Sequence, residues 1–101
     1  MIIDAFRWTK AGTLVLSVTT SSQQATLAAG QCVELNNPSS NTATVYFEHS
    51  VDDNNPTANT TTSYPVYPGQ CKIIRMPDGA TKLAYIGSGS CTASLSTGEG
   101  V

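Results

Sequence analysis

The feature that most constrains this chain is the alternation of apolar and polar residues in short segments. In the clearest of them, Leu14, Leu16 and Val18 share one face of residues 14–19. A period of two puts neighbouring side chains on opposite faces of an extended strand, so the segment predicts a β-strand with one apolar face. No stretch places apolar residues at positions i, i+3, i+4 and i+7, the pattern of an amphipathic helix. The chain is therefore predicted to be built from strands.

Similar segments recur at short intervals, and clusters of Gly, Pro, Asn, Asp and Ser separate them as turns. About eight short strands with this spacing predict an all-β domain, a single two-sheet β-sandwich of antiparallel strands with jelly-roll or Greek-key topology. Pro65 and Pro68 confine one strand to a sheet edge or a strand start. The predicted strands cover residues 14–19, 24–28, 31–36, 42–49, 64–67, 70–76, 82–86 and 90–96.

The length of 101 residues fits a single domain. Residues 1–12 precede the first alternating segment and are predicted to form an N-terminal arm, while residues 13–96 form the β-sandwich domain. Residues 97–101 are predicted to be a flexible C-terminal tail. Residues 51–62 lack apolar alternation and are predicted to be a long exposed loop, which in compact domains is commonly functional or mobile.

Charge and composition argue against several functional classes. Charged residues make up 12% of the chain, about half the usual share of roughly 25%, and a weakly charged surface favours a protein that stays in contact with neighbours. The net charge is −2 and the five Lys and Arg residues are scattered, so no basic stripe is available for nucleic acid. No apolar run approaches the length of a membrane span, and the first residues lack the order of a signal peptide. We therefore expect synthesis in a cytoplasm.

Candidate metal ligands are few and poorly spaced. Cys32, Cys71 and Cys91 form no CxxC pair and His49 is the single histidine, which argues against a structural zinc site. We expect three reduced thiols; one disulfide with one free thiol is the alternative. Residues 52–55, Asp-Asp-Asn-Asn, offer oxygen ligands but lack the spacing and distal Glu of an EF-hand loop, so a solvated loop is expected. No metal or cofactor is predicted.

Catalysis is not predicted either. His49 lies close in sequence to Glu48 and Asp52, but no Gly-flanked serine follows a strand as a nucleophile elbow requires. A lone histidine at a strand end is usually a polar surface residue. The chain is therefore expected not to be an enzyme.

Exposed aromatic residues are the best candidates for contacts. Phe6 and Trp8 flank Arg7, and Trp and Arg are enriched in interface hot spots, so this group could dock on a neighbouring subunit or fold back over the open end of the sandwich. Tyr64 and Tyr67 suit protein contacts, sugar stacking or an ordinary rim position. With the polar loop included, the candidate protein-contact residues are Phe6, Arg7, Trp8, Asp52, Asp53, Asn54, Tyr64 and Tyr67.

Several segments follow one another in a characteristic order and spacing. They are residues 14–22, Leu27-Ala28-Ala29-Gly30, residues 32–37, residues 43–47, Pro68-Gly69, residues 77–80, residues 83–86 and the Gly98-Glu99-Gly100 ending. This order resembles a family of small virion proteins of tailed bacteriophages. The resemblance covers roughly residues 13 to 101, and the Gly98-Glu99-Gly100 ending is its most specific part. Ser96-Thr97 stands where Thr-Pro is more usual in the family.

The resemblance implies a β-sandwich component of the virion that lies beside the major capsid protein as a head decoration or cement protein. Such a protein would sit on the capsid exterior, assemble in the host cytoplasm and bridge capsid subunits, with a homotrimer on a three-fold axis as the first expectation. A carbohydrate-binding or host-adsorption module is the alternative, with Trp8, Tyr46, Tyr64 and Tyr67 as stacking residues. A head-to-tail or tail component is a third possibility.

Overall fold

The computed structural model describes residues 6–28, 30, 32–51 and 54–99. Within these residues the chain forms eight β-strands and no helix, which confirms the all-β prediction. The strands are β1 (Arg7–Val18), β2 (Gln23–Thr26), β3 (Cys32–Asn37), β4 (Val45–His49), β5 (Tyr64–Val66), β6 (Gln70–Arg75), β7 (Lys82–Gly87) and β8 (Cys91–Glu99).

The described strands form two four-stranded antiparallel sheets. Sheet A has the order β1-β8-β3-β6 and sheet B the order β2-β7-β4-β5. Antiparallel pairs join β1 to β8, β2 to β7, β3 to β6 and β4 to β5. The chain is thus one long antiparallel ribbon, folded back at the β4–β5 connection and wrapped into two sheets, which is the jelly-roll topology. The strand order therefore decides between the two topologies that the sequence left open.

The hydrophobic core lies between the sheets and uses the faces that the alternation predicted. Leu16 and Val18 of β1 are 3% and 2% exposed, and Val45 of β4 is fully buried. Burial of such side chains stabilises the fold by roughly 1.5–3 kcal/mol each. The phenol of Tyr85 reaches the core edge and donates a hydrogen bond to Oε1 of Gln23 at 3.2 Å. The remaining core members include Val33, Leu35, Phe47, Val66, Met76, Leu83, Ala93 and Leu95.

The turn after β5 has the geometry that its sequence predicts. The amide of Gln70 donates to the carbonyl of Tyr67 at 3.0 Å, and Gly69 has a φ of 84°. A positive φ at the third position of a four-residue turn is the mark of a type II turn, and glycine adopts it without a side-chain clash. Proline in the second position fits the same turn type. The Pro68-Gly69 turn is therefore confirmed.

The first and last strands are longer than the sequence predicted. Arg7 pairs with Glu99 and Trp8 with Gly98, so residues 7–12 belong to β1 and residues 97–99 to β8. A bulge lies between Trp8 and Thr13, where Ala11 has a φ of 59°. The prediction of an N-terminal arm and a flexible C-terminal tail is therefore wrong at residues 7–12 and 97–99. These residues form strand, because each segment supplies the hydrogen-bonding partner of the other. Residues 1–5, 100 and 101 lie outside the described residues.

The segment between β4 and β5 is partly buried. The prediction that residues 51–62 form an exposed loop is therefore wrong in part. Ala58 is 2% exposed and Pro56 is also buried. The amide of Ala58 donates to Oγ of Ser22 at 2.9 Å, and Nε2 of Gln24 donates to the carbonyl of Pro56 at 3.0 Å. Nζ of Lys82 donates to the carbonyl of Asn54 at 3.3 Å. Residues 54–63 thus cover the outer face of sheet B.

Candidate protein-contact surface

The outer face of sheet A is built by the residues that alternate with the core positions of its four strands. One row across the sheet aligns Thr13 of β1, Ser96 of β8, Glu34 of β3 and Ile73 of β6. The next row aligns Val15, Ser94, Asn36 and Cys71. We call this surface the A face; its defining residues are Trp8, Val15, Glu34, Ile73, Ser94 and Ser96.

Three large apolar side chains on the A face are exposed to solvent. Trp8 is 74% exposed, Val15 76% and Ile73 38%. Between them β8 contributes only small residues, and the hydroxyls of Thr13 and Ser96 lie 2.8 Å apart in a hydrogen bond. Single exposed apolar residues are normal on a soluble protein, and the presence of three on one sheet face makes the A face the candidate contact surface.

The start of β1 places Phe6 and Trp8 on this same face. A Cβ added to Gly98 would lie 2.7 Å from a ring atom of Phe6, so the ring covers that glycine. Phe6 and Trp8, together with Thr13, Glu34 and Ser96, line a shallow depression of about 300 Å³. Because Trp8 is exposed on the outside of a sheet, it does not close the open end of the sandwich.

Charge is sparse in two rows of the A face, whereas the row of Trp8 ends in Arg75. In the two rows that hold Val15 and Ile73, the described residues include one charged side chain, Glu34. Glu34 accepts a hydrogen bond from the thiol of Cys71. Partial burial raises the pKa of Cys71, and the charge and hydrogen bond of Glu34 raise it further. Apart from Glu34, a partner that covers these two rows would desolvate only neutral side chains, whereas Glu34 would need a hydrogen-bond donor from the partner.

The outer face of sheet B differs because the protein itself covers it. Ala84 lies between Gln24 and Glu48 in the register of this face and is fully buried. Residues 54–63 bond to Gln24, Lys82 and Ser22 along the same face. Of the two outer faces, the described residues leave the one of sheet A open to a partner.

The remaining candidate residues lie elsewhere. Tyr64, in β5, and Tyr67, just after it, are 42% and 52% exposed at the edge of the sandwich opposite β1. Asn54 is exposed in the segment that covers sheet B. Asp52 and Asp53 lie outside the described residues. The structure therefore brings Phe6, Arg7 and Trp8 together in β1 and at its start, and does not bring the tyrosines to them.

Sequence reasoning missed Val15 and Ile73. Val15 is the one large apolar residue among the outward positions 13, 15 and 17 of β1. An apolar residue on the polar face of an alternating strand is the signal that could have identified it. Ile73 could not be singled out in this way, because both faces of β6 carry an isoleucine.

A groove of about 490 Å³ opens on the opposite side of the sandwich, between β5 of sheet B and β6 of sheet A. Its apolar lining includes Tyr64, Phe47, Leu83, Ile74 and Met76. A volume of this size is within the range of 300–1,000 Å³ typical of ligand pockets.

Polar groups form the rim of the groove. Oε1 of Glu48 accepts from the amide of His49 at 3.2 Å, and Oε2 accepts from Oγ of Ser63 at 3.4 Å. Nδ1 of His49 accepts from the amide of Val51 at 3.3 Å. Glu48 is half-buried and His49 is exposed. The rim thus carries a carboxylate held in place by two donors.

Within the described ranges, the cysteines and the other residue types that can bind metals form no cluster. Cys32 is buried, Cys71 exposed and Cys91 half-buried, and all three are free thiols, as predicted. Burial also raises the pKa of Cys91. Among the described residues, no group of three His, Cys, Asp or Glu side chains could hold a metal ion.

The comparisons with known proteins add no relative. No family model matches the chain, and no curated protein or solved structure is similar enough to count as a match. Within the part of the chain that the structure describes, no helix is long and apolar enough to cross a membrane.

Proposed function

We propose that this chain is a non-enzymatic structural protein of a bacteriophage virion, a decoration or cement protein that binds the major capsid protein through the A face. The observation that carries the proposal is the open, weakly charged A face with Trp8, Val15 and Ile73 exposed. The resemblance in segment order to small virion proteins supports the same function. Bridging of capsid subunits on the outside of the shell is the proposed mechanism of stabilisation.

The chemistry of the A face suits contact with a protein shell. Burial of exposed apolar area contributes roughly 25 cal/mol per Å², and Val15 and Ile73 provide such area on the two edge strands of sheet A. The small side chains of Ser94 and Ser96 let a partner backbone approach closely while their hydroxyls supply hydrogen bonds. The apolar residues lie at the two edges of the A face, and polar residues, with Glu34 among them, lie between.

Repetition on a lattice compensates for a small footprint. A 10.6 kDa protein offers a limited contact area, and each copy alone binds weakly if its interface is small. When copies are linked as a homo-oligomer, the second and third contacts form at a high effective concentration. We propose a homotrimer on a three-fold axis of the shell.

The test is to add the purified protein to capsids that lack it and to image the particles by cryo-electron microscopy. We expect ordered density at fixed lattice positions, with the A face toward the shell. Density at a single vertex or along the tail would assign the protein to the portal or tail instead. Soluble protein without any density on the particle would reject the proposal.

The glycan alternative, which needs a shared stacking surface, has less geometric support. Trp8 lies on the A face, Tyr46 is half-buried in β4, and Tyr64 and Tyr67 lie at the edge opposite β1. Stacking on one extended sugar chain requires aromatic rings on one surface, whereas Trp8, Tyr46 and the two edge tyrosines lie on three separate surfaces.

A further inference from the structure

The two described sheets end in four edge strands, and three of these are protected against pairing with a further strand. β2 has four residues, and β5 has three, one of which is Pro65. β6 ends in Arg75 and carries Lys72 opposite the core residue Leu35, on the inward side of the sheet. Short edges, prolines and inward-pointing charges are common means by which natural sheets avoid pairing with other chains. β1 is the exception.

The edge strand β1 has 12 residues, and its protection is confined to the first half. Arg7 and Lys10 carry charge there, and a bulge lies between Trp8 and Thr13. Residues 13–18, Thr-Leu-Val-Leu-Ser-Val, contain no charge, no glycine and no proline. An uncharged run of high β-propensity on an open edge is a site at which another strand can pair. Among the described residues, no strand pairs with the outer side of this run.

The hydrogen bonds of sheet A show which backbone groups of β1 face the open edge. The carbonyl of Thr92 in β8 accepts from Nδ2 of Asn41, in the loop after β3, at 2.8 Å, and so points away from β1. Ser17 is opposite Thr92 in the register and therefore receives no bond from it. Successive residues of an antiparallel strand direct their backbone groups to opposite sides. The N–H and C=O groups of Thr13, Val15 and Ser17 thus face the open edge.

A second hydrogen bond gives the same assignment. The amide of Gly69 donates to the carbonyl of Asn37 at 2.7 Å, so Asn37 faces β6 and its neighbour Asn36 faces β8. Asn36 is paired with Ser94, which therefore directs its backbone groups to β3. Val15 is opposite Ser94 on the β1 side and consequently has its own backbone groups directed outward.

The occupant of this edge follows from its position beside the A face. The exposed side chains of Thr13, Val15 and Ser17 lie on that face, so a partner that covers the A face also reaches the backbone groups beside it. Leu14, on the core side, is half-buried, and a further strand would complete its burial. Antiparallel pairing of β1 with β1 of a second copy would create a two-fold axis, which does not build the three-fold assembly of the proposed function.

We propose that an extended, uncharged segment of the major capsid protein adds to sheet A beside β1, hydrogen-bonded to the backbone of Thr13, Val15 and Ser17. In this mode of recognition the main-chain hydrogen bonds provide affinity, and the side chains that alternate along the added strand provide specificity. The inference rests on the proposed function and names the backbone contact of that interface.

The first measurement is hydrogen exchange of the protein bound to capsids that lack it, read by mass spectrometry of peptides that contain residues 13–18. We expect the amides of Thr13, Val15 and Ser17 to exchange at least about tenfold more slowly than in the free protein. Binding without this protection overturns the strand addition and leaves the proposed function standing. Absence of any binding overturns the proposed function, and the strand addition with it.

A change of the backbone separates strand pairing from side-chain contacts. Residues 1–31 are synthesised with an ester in place of the Leu14–Val15 amide and are ligated to residues 32–101 at Cys32. The ester removes the N–H of Val15 and keeps its side chain, so we expect binding to capsids to weaken by about fivefold. Denaturant unfolding of the same sample checks that the sandwich stays folded. An ester protein that binds as tightly as the ligated all-amide protein overturns the proposal.

A pair of variants at one position tests the same edge by mutation. Ser17→Pro removes an edge-facing N–H at a type of position where an edge strand tolerates proline, and we expect it to weaken binding by about tenfold or more. Ser17→Ala keeps the N–H and should bind like the unmodified protein. Equal binding of the two variants overturns the proposal.

Sedimentation velocity of the free protein tests the other occupant of the edge. If the free protein self-associates and the ester at Val15 abolishes the association, the edge belongs to a second copy and the proposal is overturned. We expect the ester to leave the sedimentation of the free protein unchanged.

Discussion

Asn37 of β3 donates a hydrogen bond from its side-chain amide to the carbonyl of Val66 in β5, at 2.9 Å, and so joins sheet A to sheet B through a fully buried polar contact. The same Nδ2 donates to the carbonyl of Ala43 at 3.0 Å, and Oδ1 accepts from Nδ2 of Asn41 at 2.7 Å. Asn41 in turn donates to the carbonyl of Thr92 at 2.8 Å. One side chain thus bonds to a carbonyl of β5 and to a carbonyl of the segment before β4.

Asn37→Ala is expected to lower the free energy of unfolding by about 2–4 kcal/mol, because it leaves two buried carbonyls without donors. The measurement is denaturant unfolding at equilibrium. Asn36→Ala is the matched control, since Asn36 is half-buried on the A face, and we expect it to cost less than about 1 kcal/mol. An equal effect of both variants would contradict the structural function of Asn37.

Val15→Ser with Ile73→Ser is expected to weaken binding to capsids by about tenfold or more while changing the unfolding free energy of the protein by less than about 1 kcal/mol. Val15 is 76% exposed, so the folded monomer loses little when it is replaced. Binding is measured by co-sedimentation with capsids that lack the protein. Tyr67→Ser, at the other edge of the sandwich, serves as the control and should bind normally.

Alkylation of Cys71 by iodoacetamide is expected to be slower at pH 8 than alkylation of a small free thiol. Burial and the carboxylate of Glu34 raise the pKa of Cys71, so less reactive thiolate is present at a given pH. Glu34→Gln removes the negative charge, lowers this pKa and should speed the reaction. The rate is followed by peptide mass spectrometry.

Cys91 supplies the internal control for that measurement. Burial alone raises the pKa of Cys91, so its alkylation should not respond to Glu34→Gln. A rate for Cys71 that is the same in both proteins at every pH would contradict the contribution of Glu34.

Gly98→Ala is expected to detach the start of β1 from β8. A Cβ at this position would meet the carbonyl of Arg7 and lie 2.7 and 2.8 Å from two ring atoms of Phe6. The overlap should cost about 1–3 kcal/mol locally, and hydrogen exchange of the amides near residues 7–9 should become faster while the core stays protected. Gly89→Ala, where a Cβ would have an ordinary 3.7 Å contact with Ala43, should leave exchange unchanged.

By itself the sequence determined the class of fold and the composition of the core. Alternation with a period of two identifies Leu16, Val18, Val45 and Phe47 as inward residues because a strand can bury only every second side chain. The Pro68-Gly69 turn is likewise local, since a proline and a glycine set the φ values that the turn requires. These features depend on neighbours along the chain, and the structure confirms them.

Only the tertiary structure decided which strand faces are exposed and which are covered. The pairing of Arg7 with Glu99 joins the two ends of the described chain, and no local pattern reports a partner that lies more than ninety residues away. Asn37 begins a run of turn-forming residues, yet it is buried, with its amide bonded to the carbonyls of Ala43 and of Val66 in β5. The A face is the open outer face because residues 54–63 cover the outer face of sheet B instead. The groove exists because the strand order places β5 and β6 at the same edge of the sandwich. Local propensity sets the conformation of each strand, whereas the burial of a face depends on which other strand or loop packs over it.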